Sequence, residues 1–272
     1  MGRAMFIEAI DKMVDRVNHF KVDPQFTRWV GERVERTPDF DLKDEEILRR
    51  LVVLIAYSNN ANAERVERLV ERGVFDHIFQ NYSIGNAARL SPESLIRDHW
   101  PEVKDIRFKY KIAAMVSCSA PLLSIGERHG SFMRYLRSVG LPSTLQSDSD
   151  IQSFWEGFNQ IRSHFLELHF PYFRNFTSLC HLLMDLGFDC AKPDIAVMKA
   201  AVDLGIVRPP PKQRKNPEKN GAHPEKSLRK AVETIQTYAL CRSMRPPVID
   251  LYFLIHGQQS GVIGLVERAY YQ

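Results

Sequence analysis

Apolar side chains recur along most of this chain at steps of three and four residues, the spacing that gathers them on one face of an α-helix. Residues 149–166 are the clearest case. There Ile151, Phe154, Trp155, Phe158, Ile161 and Phe165 make one apolar stripe, and Asp148 or Ser149 can cap its start. Residues 45–57 carry Ile47, Leu48, Leu51, Val52 and Ile55 at similar steps. Residues 63–72 are charged and periodic, with Glu64 four residues before Arg68, a spacing that supports a helix. Residues 107–124, 176–186, 195–204 and 225–241 also read as helix, and no alternating strand, internal repeat or sustained heptad interrupts them. The pattern predicts an all-α fold.

One stretch breaks it. Residues 208–224 hold four prolines in their first ten positions and little to bury, so they read as an exposed loop. Pro246-Pro247 interrupts the helical block that follows. Charge is uneven about this break. Residues 208–245 hold ten Lys or Arg against three Glu, while the rest of the chain holds 27 basic and 30 acidic residues. A basic segment on a near-neutral body suits a polyanion such as nucleic acid, and equally a solvated loop with no partner. Composition, 44% hydrophobic and 26% charged over 272 residues, allows one large domain or two lobes with a sizeable core. Cys118, Cys180, Cys190 and Cys241 are scattered with no CxxC, which argues against zinc and for a reduced chain. The longest apolar run, residues 51–57, is too short for a membrane span, and no signal-peptide core opens the chain. We expect a soluble, intracellular protein.

The most specific segment is residues 170–207. A helix ends near Phe170, a tight connection follows, and a new helix starts near Phe176 or Thr177. Gly187 suits the end of that helix. Pro193-Asp194 then opens another, whose face is Ile195, Met198, Val202 and Gly205. This succession resembles the hairpin and catalytic segment of the helix-hairpin-helix DNA glycosylase superfamily. Phe170-Pro171 stands at that family's Leu-Pro, Thr177-Ser178 at its Thr-Ala, and Asp194-Ile-Ala-Val197 at its Asp-Thr-His-Val. Leu204-Gly205-Ile206 stands at the closing Leu-Gly-Leu, and Asp194 lies 18 residues after Phe176, the family's spacing. The resemblance is specific over residues 170–207 and extends as a pattern over about 45–207.

The departures are informative. Both hairpin glycines are replaced, by Tyr172 and Arg174. Glycine permits close backbone approach to a phosphate, so a remodelled hairpin gripping DNA through side chains is implied. The column of the Schiff-base lysine holds Phe176, so no lyase step is expected, and the family's four-cysteine iron–sulfur pattern is missing. No cofactor is implied. Residues 54–66, with Asn59, Asn60 and Asn62, look like the family's early Leu-Ser-Gln-Gln-Thr stretch, although asparagines also cap helices. Residues 106–116 are similar to its basic-aromatic turn, where Lys109 and Lys111 either touch phosphates or are ordinary surface lysines. Tyr172, Arg174, Asn175, Thr177 and Lys192 complete the expected DNA-binding set, together with Asn62, Lys109 and Lys111.

The resemblance implies a two-lobed fold with a central cleft. Residues 46–194, with a degenerate hairpin at 170–177, would form the middle lobe, and 1–45 with 195–272 the other. Asp194 would sit at the cleft. Its chemistry is simple: losing a base develops positive charge on deoxyribose, which a carboxylate stabilises while it orients or deprotonates water. The base must first be flipped from the duplex into a pocket. Tyr57, Asn59, Asn60, Trp155 and His181 are pocket candidates. Trp155 also fits the core stripe, His181 a packed or capping role, and Asp194 alone a plain N-cap. The expected function is therefore a monofunctional, monomeric, nucleoid-associated DNA glycosylase acting on double-stranded DNA in the cytoplasm. The alternative is an inactive nucleic-acid-binding module of the same fold, and a third reading is a protein-binding helical scaffold. An alkylated purine in DNA repair and a bulky phage cytosine (glucosylated hydroxymethylcytosine) in antiviral defence are the two substrate classes, since members of this superfamily are known in phage defence.

Overall fold

Every regular element is a helix among the residues that the computed structural model describes, which are 3–18, 24–59, 61–212 and 221–258. In chain order they begin with α1 (Arg3–Val17), α2 (Pro24–Glu35), α3 (Asp44–Tyr57), α4 (Ala63–Glu71), α5 (Val74–Ile78), α6 (Ile84–Ala87) and α7 (Pro92–Val103). There follow α8 (Tyr110–Ser117), α9 (Ser119–His129), α10 (Phe132–Ser138) and α11 (Asp148–Glu167). The last are α12 (Phe176–Asp185), α13 (Ile195–Asp203), α14 (Glu225–Cys241) and α15 (Pro246–Gln258). The all-α expectation holds. Two local readings change. The stretch 107–124 is two helices that meet at Cys118, and it starts only at Tyr110 after a left-handed Arg107, φ 80°. The cap of α11 comes from Ser147, whose Oγ accepts the Asp150 N–H at 3.3 Å.

The chain divides into two compact units, Met1–Pro38 with Pro142–Ser153 and Phe176–Gln272, and Asp39–Leu141 with Phe154–Asn175. The boundary runs through α11. Residues 176–194, which the sequence groups with the middle lobe, fall in the first unit, because α12 packs on α14.

In the first unit α15 is the central rod. From Pro246 to Gly257 every residue but Leu254 is buried, as expected of a helix that is apolar on all sides. Helices α1, α2, α13 and α14 surround it. Its approach to α13 is close: a Cβ at Gly257 would lie 1.9 Å from the Ala196 carbonyl oxygen. At the other end Arg245 pairs with the buried Asp189 at 2.7 Å and donates to the carbonyl oxygens of Gly187, at 2.8 Å, and Arg36. Asp189 also accepts the Leu145 N–H at 2.8 Å, and its carbonyl accepts Gln236 Nε2 at 2.9 Å. A buried charge is tolerated only with such satisfaction.

In the second unit α3 supplies the core, burying Ile47, Leu48, Leu51, Val52, Ile55 and Ala56. Asp44, at its first turn, accepts the Phe132 N–H at 2.8 Å and so fixes the start of α10. The apolar stripe of α11 is buried from Phe154 to Phe165, and Phe165 stacks on Phe170 with ring centroids 4.5 Å apart. That stack delivers the chain into the turn at 171–175, where the Asn175 N–H donates to the Tyr172 carbonyl at 3.1 Å.

Candidate active site

Asp194 stands in extended backbone, φ −83° and ψ −176°, as the cap of α13. Its Oδ1 accepts the N–H groups of Ala196 and Val197 at 3.0 and 3.1 Å. Those are free donors of a first helical turn, so one carboxylate oxygen is fixed by the backbone itself. The other, Oδ2, lies 3.7 Å from Lys192 Nζ, with side-chain exposures of 29% and 32% that leave both groups within reach of solvent. Thr177 Oγ1 donates to the Pro193 carbonyl at 3.4 Å, a long bond linking the first turn of α12 to the segment that carries Asp194.

A second carboxylate lies beneath. Asp250 on α15 is 3% exposed, and its Oδ1 accepts the Lys192 backbone N–H at 2.7 Å. Burial pushes its carboxyl up to about 7. The charge of Asp194 acts in the same direction, whereas the Lys192 N–H and the cations Arg33 and Lys192 oppose it. Arg33, on α2, has its guanidinium shifted down by burial, an effect that Asp250 counters. His181 on α12 is half-buried, and burial, with help from Lys192 and Arg33, pushes its imidazole down to about 3. At neutral pH His181 is therefore uncharged. The first unit thus gathers Asp194, Asp250, Lys192, Arg33 and His181 around one turn.

The remaining expected residues fall in the second unit. Asn59 and Tyr172 meet: Asn59 Nδ2 donates to the hydroxyls of Tyr172, at 2.7 Å, and Tyr110, at 2.6 Å. Ser58 Oγ lies 2.9 Å from the same Tyr172 hydroxyl. Asn59 and Tyr172 both adopt left-handed backbone, φ 52° and 63°, a region that favours glycine and tolerates asparagine. Burial raises the Tyr172 hydroxyl above its ordinary range. Tyr57 faces elsewhere: burial and the charges of Glu67 and Glu71 on α4 raise its hydroxyl. Asn62 caps α4, accepting the Arg65 N–H at 3.0 Å, which is the plain capping role. Lys109 is exposed, with Nζ 5.6 Å from the Trp100 ring centroid. Arg174 and Asn175 are exposed in the turn. Asn60 and residues 213–220 of the basic loop lie outside the described residues.

Three expectations are corrected. Trp155 is 2% exposed and packs edge-on to Phe154 and Phe158 at 5.4 and 5.1 Å, so it is core rather than pocket. Lys111 is fully buried and is neither a phosphate contact nor a surface lysine. Its Nζ donates to the carbonyl oxygens of Ala56 and Ser58 at 2.9 and 2.5 Å, closing the end of α3, and burial pulls its pKa down to about 8 with help from Arg107. Ile195 is 81% exposed, while Ala196, Val197, Met198, Ala200 and Ala201 form the buried face of α13. The cap at Asp194 sets the phase of that helix, and the close approach of α15 at Ala196 turns Ile195 outward.

Sequence reasoning missed Asp250, Arg33 and Tyr110. Asp250 did carry a signal: it is the lone charge in the run Val-Ile-Asp-Leu-Tyr-Phe-Leu-Ile, and a carboxylate inside an apolar helix needs a partner. Arg33 and Tyr110 lie far in sequence from the groups they face and gave none. Chemically, an anchored carboxylate beside an ammonium can stabilise a developing cation or take a proton from water. No protein-family model, no curated protein and no solved structure matches the chain.

Proposed function

We propose that this chain is a DNA glycosylase that hydrolyses the N-glycosidic bond of a flipped damaged or modified base, with Asp194 as its central carboxylate. The observation that carries this is the state of Asp194 itself. Two backbone N–H groups fix Oδ1, while Oδ2 lies beside Lys192 Nζ on a side chain that stays partly exposed. A carboxylate held in that way is positioned to stabilise the oxocarbenium-like sugar without reorganising. Tyr172 supports the family resemblance, since it adopts left-handed backbone in a column where the family has glycine. The net-positive stretch 208–245 suits a DNA partner. Alkylated purines and a bulky phage cytosine remain the two substrate classes to separate.

An inactive DNA-binding module is favoured by one observation, that the Oδ1 bonds of Asp194 are what a plain cap makes. Asp194→Asn divides the readings, because Asn caps a helix as well as Asp but carries no charge. We expect the variant to melt close to wild type and to lose at least about a hundredfold in rate. The assay is mass spectrometry of free base released from alkylated, oxidised and phage-modified duplexes. Equal release by wild type and Asp194→Asn, or none from wild type across the panel, removes the glycosylase reading.

A further inference from the structure

The carboxylate at 250 is unexplained by a role for Asp194 alone. A buried acid in an apolar helix costs stability unless something uses it. Here its Oδ1 is spent on one backbone N–H, that of Lys192, at 2.7 Å. Lys192 opens the turn whose carbonyl accepts the Asp194 N–H at 2.7 Å, so the group held by Asp250 holds Asp194 in turn. Seven residues on, two turns along the same face of α15, Gly257 packs its bare Cα against Ala196, in the first turn of α13. Helix α15 therefore grips the segment 192–196 at two points, one polar and one steric.

We propose that Asp250 is a second carboxylate of the Asp194 site, a positioning residue that clamps the Lys192–Asp194 turn from the buried side and sets the charge beside which Asp194 works. The groups facing it are Asp194 and Lys192 in the turn and Arg33 on α2, with His181 on α12 beside those two cations. Because burial and Asp194 hold its proton up to about pH 7, ionisation of Asp250 above that pH adds a second carboxylate charge to a site that also holds the cations Lys192 and Arg33. The second charge adds to the stabilisation of a cationic sugar, so base release rises with pH through neutrality. This kinetic consequence rests on the glycosylase reading, whereas the clamp does not.

The test uses the full chain as wild type, Asp250→Asn and Asp194→Asn. Asn at 250 still accepts the Lys192 N–H but cannot ionise. By NMR, the Lys192 amide should titrate near pH 7 in wild type, lose that step in Asp250→Asn, and titrate at lower pH in Asp194→Asn, where the like charge is gone. The Asp194 substitution leaves the core untouched and reports even if Asp250→Asn folds poorly. In the release assay, wild type should gain about tenfold in kcat across neutrality with KM unchanged, and Asp250→Asn should stay flat at the low-pH rate. A Lys192 amide that does not titrate near pH 7, or an Asp250→Asn enzyme with a wild-type profile, overturns the proposal. Titration of the amide in a wild type that releases no base supports the clamp and removes only the glycosylase reading.

Discussion

On the proposed glycosylase reading, Phe176 decides whether the chemistry at Asp194 stops at hydrolysis. By the resemblance of the 170–207 segment, it stands where bifunctional helix-hairpin-helix glycosylases carry the attacking amine, and it is buried at the start of α12. Lys192 Nζ is an amine close to Asp194, whose carboxylate holds it as an ion pair at 3.7 Å. An ammonium paired in this way is a poor nucleophile. We therefore expect no covalent adduct when the protein is mixed with abasic-site DNA and borohydride. A trapped adduct that disappears in Lys192→Ala would show that the amine does reach the sugar, and the purely hydrolytic mechanism would have to go. Single residues were also where sequence reading was sharpest and most fallible. Asp194 capped its helix where the Pro-Asp pair said it would. Lys111 misled, because a lysine's position on a helix says nothing about a distant helix end that needs a donor. Trp155 was legible as either stripe or pocket, and the stripe, read by period alone, was the physical answer.

At the scale of elements, period and punctuation placed three helices closely but missed the break at Cys118. The 225–241 helix was read to the residue, and 45–57 and 195–204 to within one at an end, since each is bounded by a cap, a glycine or a proline. What the sequence left hidden is how helix ends are satisfied across long separations. Lys111, from α8, closes the end of α3 by donating to Ala56 and Ser58. Lys111→Met keeps the stem and removes the donor, and it should cost roughly 1–3 kcal/mol for the Ala56 carbonyl, since Ser58 still accepts the Ala61 N–H at 3.3 Å, measured by chemical denaturation. An undiminished midpoint would mean that water replaces the amine. Gly257 gives an inverse test. Gly→Ala inside a helix ordinarily stabilises by up to about 1 kcal/mol. Here the new methyl would meet the Ala196 carbonyl oxygen at 1.9 Å, and backbone cannot yield cheaply, so a loss of about 1–3 kcal/mol is expected. A higher melting temperature for Gly257→Ala would show that α13 and α15 are free to separate.

The whole molecule carries the balance of these local costs in its response to pH. Asp250 holds its proton up to about 7 when folded, against about 3.9 when unfolded. Between those values the folded chain keeps a proton that the unfolded chain has released, so stability from this group is complete below about pH 4 and drains away as pH rises to 7. His181 runs the other way. Its imidazole is pushed down to about 3 when folded, against about 6.5 unfolded, so its contribution is complete above about 6.5 and is lost as pH falls. The two slopes oppose each other across mildly acidic pH, and wild type should show a flattened stability profile there. Removing one partner exposes the other. Asp250→Asn cannot lose a proton, so it should be more stable than wild type at pH 8, by up to about 4 kcal/mol. That advantage should shrink as pH falls and vanish below about 4, leaving only the acid-side loss from His181. Denaturant melts of both proteins at half-unit pH steps measure it. A difference between them that does not change with pH would mean that folding leaves the proton affinity of Asp250 unchanged, and would remove its raised carboxyl from the site's charge balance.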